Sequence, residues 1–138
     1  MRMIFVNLPV ADLDRSKAFF EALGFSINPQ FSDETAACVV VSETIFVMLL
    51  THDKFRQFIN GEIGDGHAAT EVLTCLSAES REEVDDLLAK ALANGGKAWK
   101  PIMDMGPMYG ASFQDPDGHV WELMYMDMAA MAQAGEGQ

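Results

Sequence analysis

Positive charge is what this sequence has least of. Nine Lys and Arg stand against 21 Asp and Glu, a formal net charge of −12 and a pI near 4.4. Such a surface repels phosphate backbones and anionic lipids alike, so neither nucleic acid nor membrane is an expected partner. No apolar run approaches the roughly 20 residues of a membrane-spanning helix. The opening Met1-Arg2-Met3-Ile4-Phe5-Val6 is too short for a secretory leader and runs straight into a strand pattern, so a cytoplasmic protein is expected. Cysteine is scarce too. Cys38 and Cys75 stand alone in apolar, strand-like segments without C-x-x-C spacing, which reads as two buried free thiols rather than a disulfide. Gly64-Asp65-Gly66 is too short for a phosphate loop, and no lysine follows it. What the chain does have is 49% hydrophobic residues over 138 positions, enough for one compact unit with a real core and against intrinsic disorder.

The most informative stretch is Asp115-Pro116-Asp117-Gly118 followed by Val120-Trp121-Glu122-Leu123-Met124-Tyr125-Met126. Pro116 presets φ for a turn, Asp117 can bond its own backbone, and Gly118 can take the positive φ that closes it. The strand that follows alternates, with Val120, Glu122, Met124 and Met126 on one face and Trp121, Leu123 and Tyr125 on the other. Glu122 is the single carboxylate on a strand otherwise apolar on both sides. Such a strand is covered on both sides, and a charge there needs a partner or a purpose. The alternative is the ordinary one, a solvated or salt-bridged glutamate.

In chain order, residues 3–8 form a strand ended by Pro9. Asp12 caps a helix whose Leu13, Ser16, Phe19, Phe20 and Leu23 fall on one face, with Gly24 as its stop. Residues 26–31, interrupted by Pro29, read as an edge strand. Residues 36–41 and 45–50 flank a tight turn at Ser42-Glu43-Thr44, and 52–58 can form a short helix. After a glycine-rich linker at 60–67 the pattern repeats. A strand at 71–76 leads to a helix begun by the capping-box spacing Ser80-Arg81-Glu82-Glu83, with Val84, Leu87, Leu88, Ala91 and Leu92 as its buried stripe and Gly95-Gly96 as its stop. Strands at 98–103, 109–114 and 120–126 complete it. The expectation is therefore an α+β protein. Residues 1–138 form a single domain made of two tandem βαβββ modules, about 3–59 and 68–127, each of about sixty residues. A helical or frayed tail occupies 128–138.

Three segments carry a family resemblance. Pro9-Val10-Ala11-Asp12-Leu13-Asp14-Arg15-Ser16-Lys17-Ala18-Phe19-Phe20 precedes Leu23-Gly24-Phe25, Asn94-Gly95-Gly96 follows the second helix, and Asp115-Pro116-Asp117-Gly118 precedes Glu122-Leu123. Together, in order and spacing, they resemble the vicinal oxygen chelate superfamily of glyoxalase I, bleomycin-resistance proteins and extradiol dioxygenases. The similarity extends over nearly the whole chain and is closest to the bacterial branch labelled predicted lactoylglutathione lyases. It implies a glyoxalase-like fold, with curved mixed sheets around a cleft often completed by a second subunit, and hence a homodimer.

The resemblance also implies where a metal would be held, from the first and last strands of each module. At those positions this chain offers Phe5, with Asn7 on the same face, then Met48, then Leu73 or, two residues back, Glu71, and finally Glu122. That set holds too few oxygen or imidazole donors for a hard divalent ion, so no metal and no cofactor are expected. The reading that follows is a glyoxalase/bleomycin-resistance-like protein with a degenerate metal site. Its cleft would take a small apolar, neutral or cationic molecule between Phe5, Asn7, Met48, Glu71, Leu73, Trp99, Tyr109 and Met124, with Glu122 as the candidate catalytic group or polar floor. The alternative is a metal-dependent lyase of the lactoylglutathione type, or a related dioxygenase, with Glu122 as ligand or general base. His52, His67 and His119 read as loop or surface histidines. Met103, Met105, Met108, Met124 and Met126 read as plastic core.

Overall fold

The computed structural model describes residues 1–130 and Ala132. Two compact units make up the chain, Met1–Ala69 with Pro116–Gly118, and Thr70–Asp115 with the chain from His119 onward. Each is built on one mixed sheet with a helix from its own βαβββ-type module.

In the first unit, β1 (Ile4–Val10), β2 (Ser26–Asn28), β3 (Ala36–Val40) and β4 (Ile45–Thr51) form a sheet of order β1-β4-β3-β2. β1 runs parallel to β4, and the other pairs are antiparallel. Pro9 does not end β1 as its missing N–H suggests; it lies inside the strand, paired in register with Leu50. The reason is position, since β1 is the outermost strand and proline is tolerated at a sheet edge. Helix α1 (Leu13–Ala22) starts at Asp12, whose side chain accepts the Arg15 amide proton, and ends before Gly24 at φ 102°. Its buried face is Leu13, Ser16, Phe19 and Phe20, and burying each of the two phenylalanines contributes roughly 1.5–3 kcal/mol. β2 is the expected edge strand and is followed by a 3-10 turn at Pro29–Phe31. A short helix α2 (His52–Arg56) follows β4.

In the second unit, β5 (Leu73–Ala78) is followed by α3 (Arg81–Ala93), β6 (Lys97–Ala98), β7 (Met103–Asp104), β8 (Met108–Gln114) and β9 (Val120–Met126), with order β5-β9-β8-β6 and β7 also on β8. β5 is parallel to β9 and the rest are antiparallel. Ser80 caps α3 by accepting the Glu83 amide proton, while Glu83 accepts from the Glu79 amide. The strand expected at 98–103 is in fact two short pieces, because Pro101 between them has no N–H to give the ladder. Trp121, Phe113 and Leu123 are each 1% exposed and centre this core. Residues 128–130 and Ala132 are helical; the rest of the expected tail lies outside the described residues. No helix among the described residues is long and apolar enough to cross a membrane.

Candidate functional site

Strand pairing decides what stands beside Glu122. β9 is central, so Glu122 has a register partner on each side, Cys75 on β5 and Ser112 on β8. Alternation puts Leu73, Cys75, Ser77, Val120, Glu122, Met124, Gly110 and Ser112 on one face of the sheet. The opposite face carries Trp121, Leu123, Tyr125 and Tyr109, and there the Tyr109 hydroxyl donates to Asp85 of α3 at 2.6 Å. The helix therefore covers that face and leaves the Glu122 face to other use. Glu122 is half-buried while Cys75 and Ser77 are exposed. Among the described residues, the Glu122 carboxylate makes no hydrogen bond or ion pair, and it is the only charged side chain in the row it shares with Cys75 and Ser112. The Cys75 thiol is pushed above its ordinary value, first by desolvation and then by the charge on Glu122.

Ser112 is 6% exposed, and its hydroxyl accepts the Lys100 amide proton at 3.0 Å. The Trp99 amide donates to the Ser112 carbonyl at 3.3 Å, so the chain after β6 is tied to the β8 residue that neighbours Glu122. In the first unit, Phe5 and Asn7 of β1 pair with Phe46 and Met48 of β4. The Phe5 and Phe46 rings stack at 4.9 Å and 12°, Phe5 is 49% exposed, and the Asn7 side-chain amide donates to its neighbour's carbonyl at Phe5.

Two sequence-based site residues are placed elsewhere. Tyr109 lies on the α3 face, turned from Glu122, and its hydroxyl is held by Asp85, which also pushes its pKa upward. Glu71 precedes β5, which begins only at Leu73, so no strand carries it onto the Leu73 face. Cys75, expected buried, is exposed, whereas Cys38 is buried. Sequence reasoning misses Ser112, Cys75 and Gly110 as neighbours of Glu122 and Met124. Nothing in the linear pattern marks them, because the pairing that gathers them joins segments far apart in the chain.

The turn before β9 does more than reverse the chain. Asp115, 3% exposed, accepts from the Trp121 indole N–H at 3.0 Å and from the His119 amide at 3.1 Å. Asp117 accepts from the Ala11 amide at 2.8 Å and from the Ser16 hydroxyl at 3.2 Å, with Arg15 at 3.4 Å. The His67 ring Nε2 lies 3.2 Å from the Pro116 carbonyl oxygen. The histidines thus stand at the turn and at the start of α2, and none belongs to the Glu122 row.

Among the described residues no group of three or more His, Cys, Asp or Glu could hold a metal ion. Of the positions that the resemblance implies as metal ligands, Phe5 and Met48 in the first unit offer no oxygen or imidazole donor; in the second unit Leu73 offers none and Glu122 offers one carboxylate. One carboxylate among apolar side chains does not fit a hard divalent cation.

Comparison with known proteins agrees with this frame. Residues 2–42 match the family model described as bleomycin resistance protein-like N-terminal. The architecture is the glyoxalase-like α+β fold, shared with solved structures described as a glyoxalase/bleomycin resistance protein/dioxygenase family enzyme and as a glyoxalase-related enzyme. Among solved structures it is similar to a hypothetical protein from S. aureus, with 28% identity, a TM-score of 0.77, and 91% of this chain and 94% of that one covered. It is also similar to a glyoxalase/bleomycin resistance protein/dioxygenase family enzyme from Burkholderia phytofirmans PsJN, with 18% identity, a TM-score of 0.75, and coverage of 91% and 99%. A lactoylglutathione lyase from Agrobacterium tumefaciens shares the fold at 15% identity, with a TM-score of 0.65 and coverage of 91% and 94%. No curated protein matches the sequence.

Proposed function

We propose that this protein binds a small organic molecule, cationic or neutral and largely apolar, on the open face of its second sheet, without a divalent metal. The observation that carries the reading is the Glu122 carboxylate, which among the described residues makes no hydrogen bond or ion pair and shares its sheet face with Leu73, Val120 and Met124. A lone carboxylate on an apolar face favours an ammonium or amidinium group, which it attracts, over an anion, which it repels. Ser112, Cys75 and the segment at Trp99 supply neutral polar contact around it. Phe5, Asn7 and Met48 give the first unit an open face of similar character, one amide among aromatic and thioether groups. If a proton is moved at this site, Glu122 is the group to accept it.

The experiment is titration of the protein with benzylammonium and with benzoate, followed by NMR shifts or calorimetry, in wild type and Glu122→Gln. Benzylammonium is expected to bind, benzoate is not, and the substitution is expected to abolish the difference. A matching series in zinc, nickel and manganese is expected to show no Glu122-dependent melting shift. A ligand at one hundred times its Kd would stabilise the native state by about 2.7 kcal/mol, several degrees for a chain of this size. Stoichiometric metal that is lost in Glu122→Gln would overturn the metal-free reading in favour of the lyase or dioxygenase class. We also propose a homodimer, because β1 and β5 are outermost strands and carry Ile4, Phe5 and Leu73, each about half exposed, at edges that pairing would protect.

A further inference from the structure

Gly110 lies in the middle of β8, in register with Met124 of β9, and glycine inside a strand often marks the close approach of another group. Its backbone does not call for glycine, as it is absent from the positive-φ positions. What occupies the space is the Met124 side chain. A Cβ at Gly110 would come within 2.8 Å of the Met124 methyl, 3.1 Å of its sulfur and 3.2 Å of the Leu123 carbonyl oxygen, so the two closest atoms are the end of a flexible side chain and the third is backbone. Met124 therefore leans from β9 across β8. Its other register partner, Ser77 on β5, is left exposed, as is Cys75 beside Glu122.

The geometry points to Gly110 as a specificity-determining residue: by giving the Met124 thioether somewhere to lie, it keeps the β5 flank of Glu122 open, so that a ligand's cationic group meets Glu122 while its apolar body runs along Cys75 and Ser77. This rests on the reading of Glu122 given above. A residue with a side chain at 110 would turn the thioether back over β9 toward Ser77, since the atoms it displaces are the far end of a flexible chain. The site would then accept only small cations.

Cys75 is a built-in reporter of that flank, and buried Cys38 is its internal control. In the full chain without ligand, Cys75 is alkylated with compact iodoacetamide and with bulky fluorescein maleimide, and each site is followed by peptide mass spectrometry. Gly110→Ala is expected to slow the bulky reagent relative to the compact one by about tenfold, on the scale at which overpacking acts. The double variant Gly110→Ala with Met124→Ala is expected to restore the wild-type ratio. Met124→Ile, whose branched side chain cannot lie across Gly110, is expected to act in the same direction as Gly110→Ala and provides a test that leaves the glycine intact. Benzylammonium and methylammonium are then titrated into the same proteins, and only the larger ion is expected to lose affinity in Gly110→Ala. If the bulky-to-compact ratio does not change in Gly110→Ala or Met124→Ile while benzylammonium binds the wild type, the role of Gly110 alone is overturned. If the wild type binds no benzylammonium, the cation reading of Glu122 and this inference fall together.

Discussion

The Asp117 carboxylate accepts the Ala11 amide proton at 2.8 Å across 106 positions of sequence. Its second oxygen takes the hydroxyl of Ser16 at 3.2 Å, itself only 1% exposed. One side chain in a turn thereby satisfies the chain entering α1 and a polar group in the buried face of that helix. Replacing Asp117 by Ala would leave the buried Ser16 hydroxyl without this acceptor, while water can reach the exposed Ala11 amide, and a cost of about 1–3 kcal/mol is expected. Urea denaturation of Asp117→Ala against wild type measures it. A midpoint unchanged at equal slope would show that the two donors are satisfied without Asp117.

Gly118 separates two effects that often travel together. Its φ is +85°, and a Cβ there would lie 2.6 Å from backbone atoms of Gly66 and His67. At Gly61, φ is +95° with nothing within 4 Å. Gly61→Ala should therefore cost only the left-handed backbone term, about 1–2 kcal/mol, and Gly118→Ala clearly more, because rigid backbone must move as well. Equal melting temperatures for the two variants would contradict the close packing of the 60–69 segment on the turn.

Cys75 offers a direct reading of charge at the candidate site. With its thiol pushed up partly by Glu122, Glu122→Gln should lower the pH at which Cys75 alkylation reaches half its maximal rate. At pH 8 the variant should react faster, since the thiolate is the nucleophile. Iodoacetamide pH–rate profiles resolved by peptide would show it, and a midpoint that stays in place would mean that the two groups do not face one another.

Acid stability should report a cluster on the second unit. Arg81 donates to Asp104 at 2.9 and 3.2 Å and to the Gly106 carbonyl, and its guanidinium lies 4.9 Å over the Tyr109 ring. Hydrogen bonding from Arg81, then from the Gly106 amide, holds Asp104 below the ordinary aspartate value of 3.8. A lowered folded value means that the contribution is present above 3.8 and is lost as pH falls through the folded value. Asp104→Asn should thus lower stability at neutral pH slightly and make the acid limb below about pH 4 shallower. Both partners are well exposed, so the effect is expected to be small and reduced by salt. Urea midpoints taken between pH 2 and 7 would test the sign.

The assembly prediction is a particle of twice the 15.1 kDa chain mass in light scattering at micromolar concentration. A monomer under those conditions would require the edges of β1 and β5 to be protected in some other way.

The local features of this chain are legible in its sequence. Asp12, Ser80, Gly24 and Gly95 mark helix ends because a cap or a positive φ depends only on residues a few positions away. The alternation from Val120 to Met126 puts Glu122 and Met124 on one face and Trp121 and Leu123 on the other, since a strand's period is a property of its own backbone. The order of elements, and with it the fold, follows from such signals. Pro9 inside β1 and the break around Pro101 do not, because what a missing N–H costs depends on whether a neighbouring strand needs it. Tyr109 cannot be assigned to a face from its own segment. Only its pairing with Tyr125 sets the phase of β8 against β9 and turns its hydroxyl to Asp85. Cys75, Ser112 and Gly110 gather around Glu122 and Met124 by the same long-range register, and Asp117 finds Ala11 and Ser16 by chain folding over about a hundred positions. Local stereochemistry is written residue by residue, whereas which distant side chains meet is decided by the burial and hydrogen-bond pairing of the whole sheet.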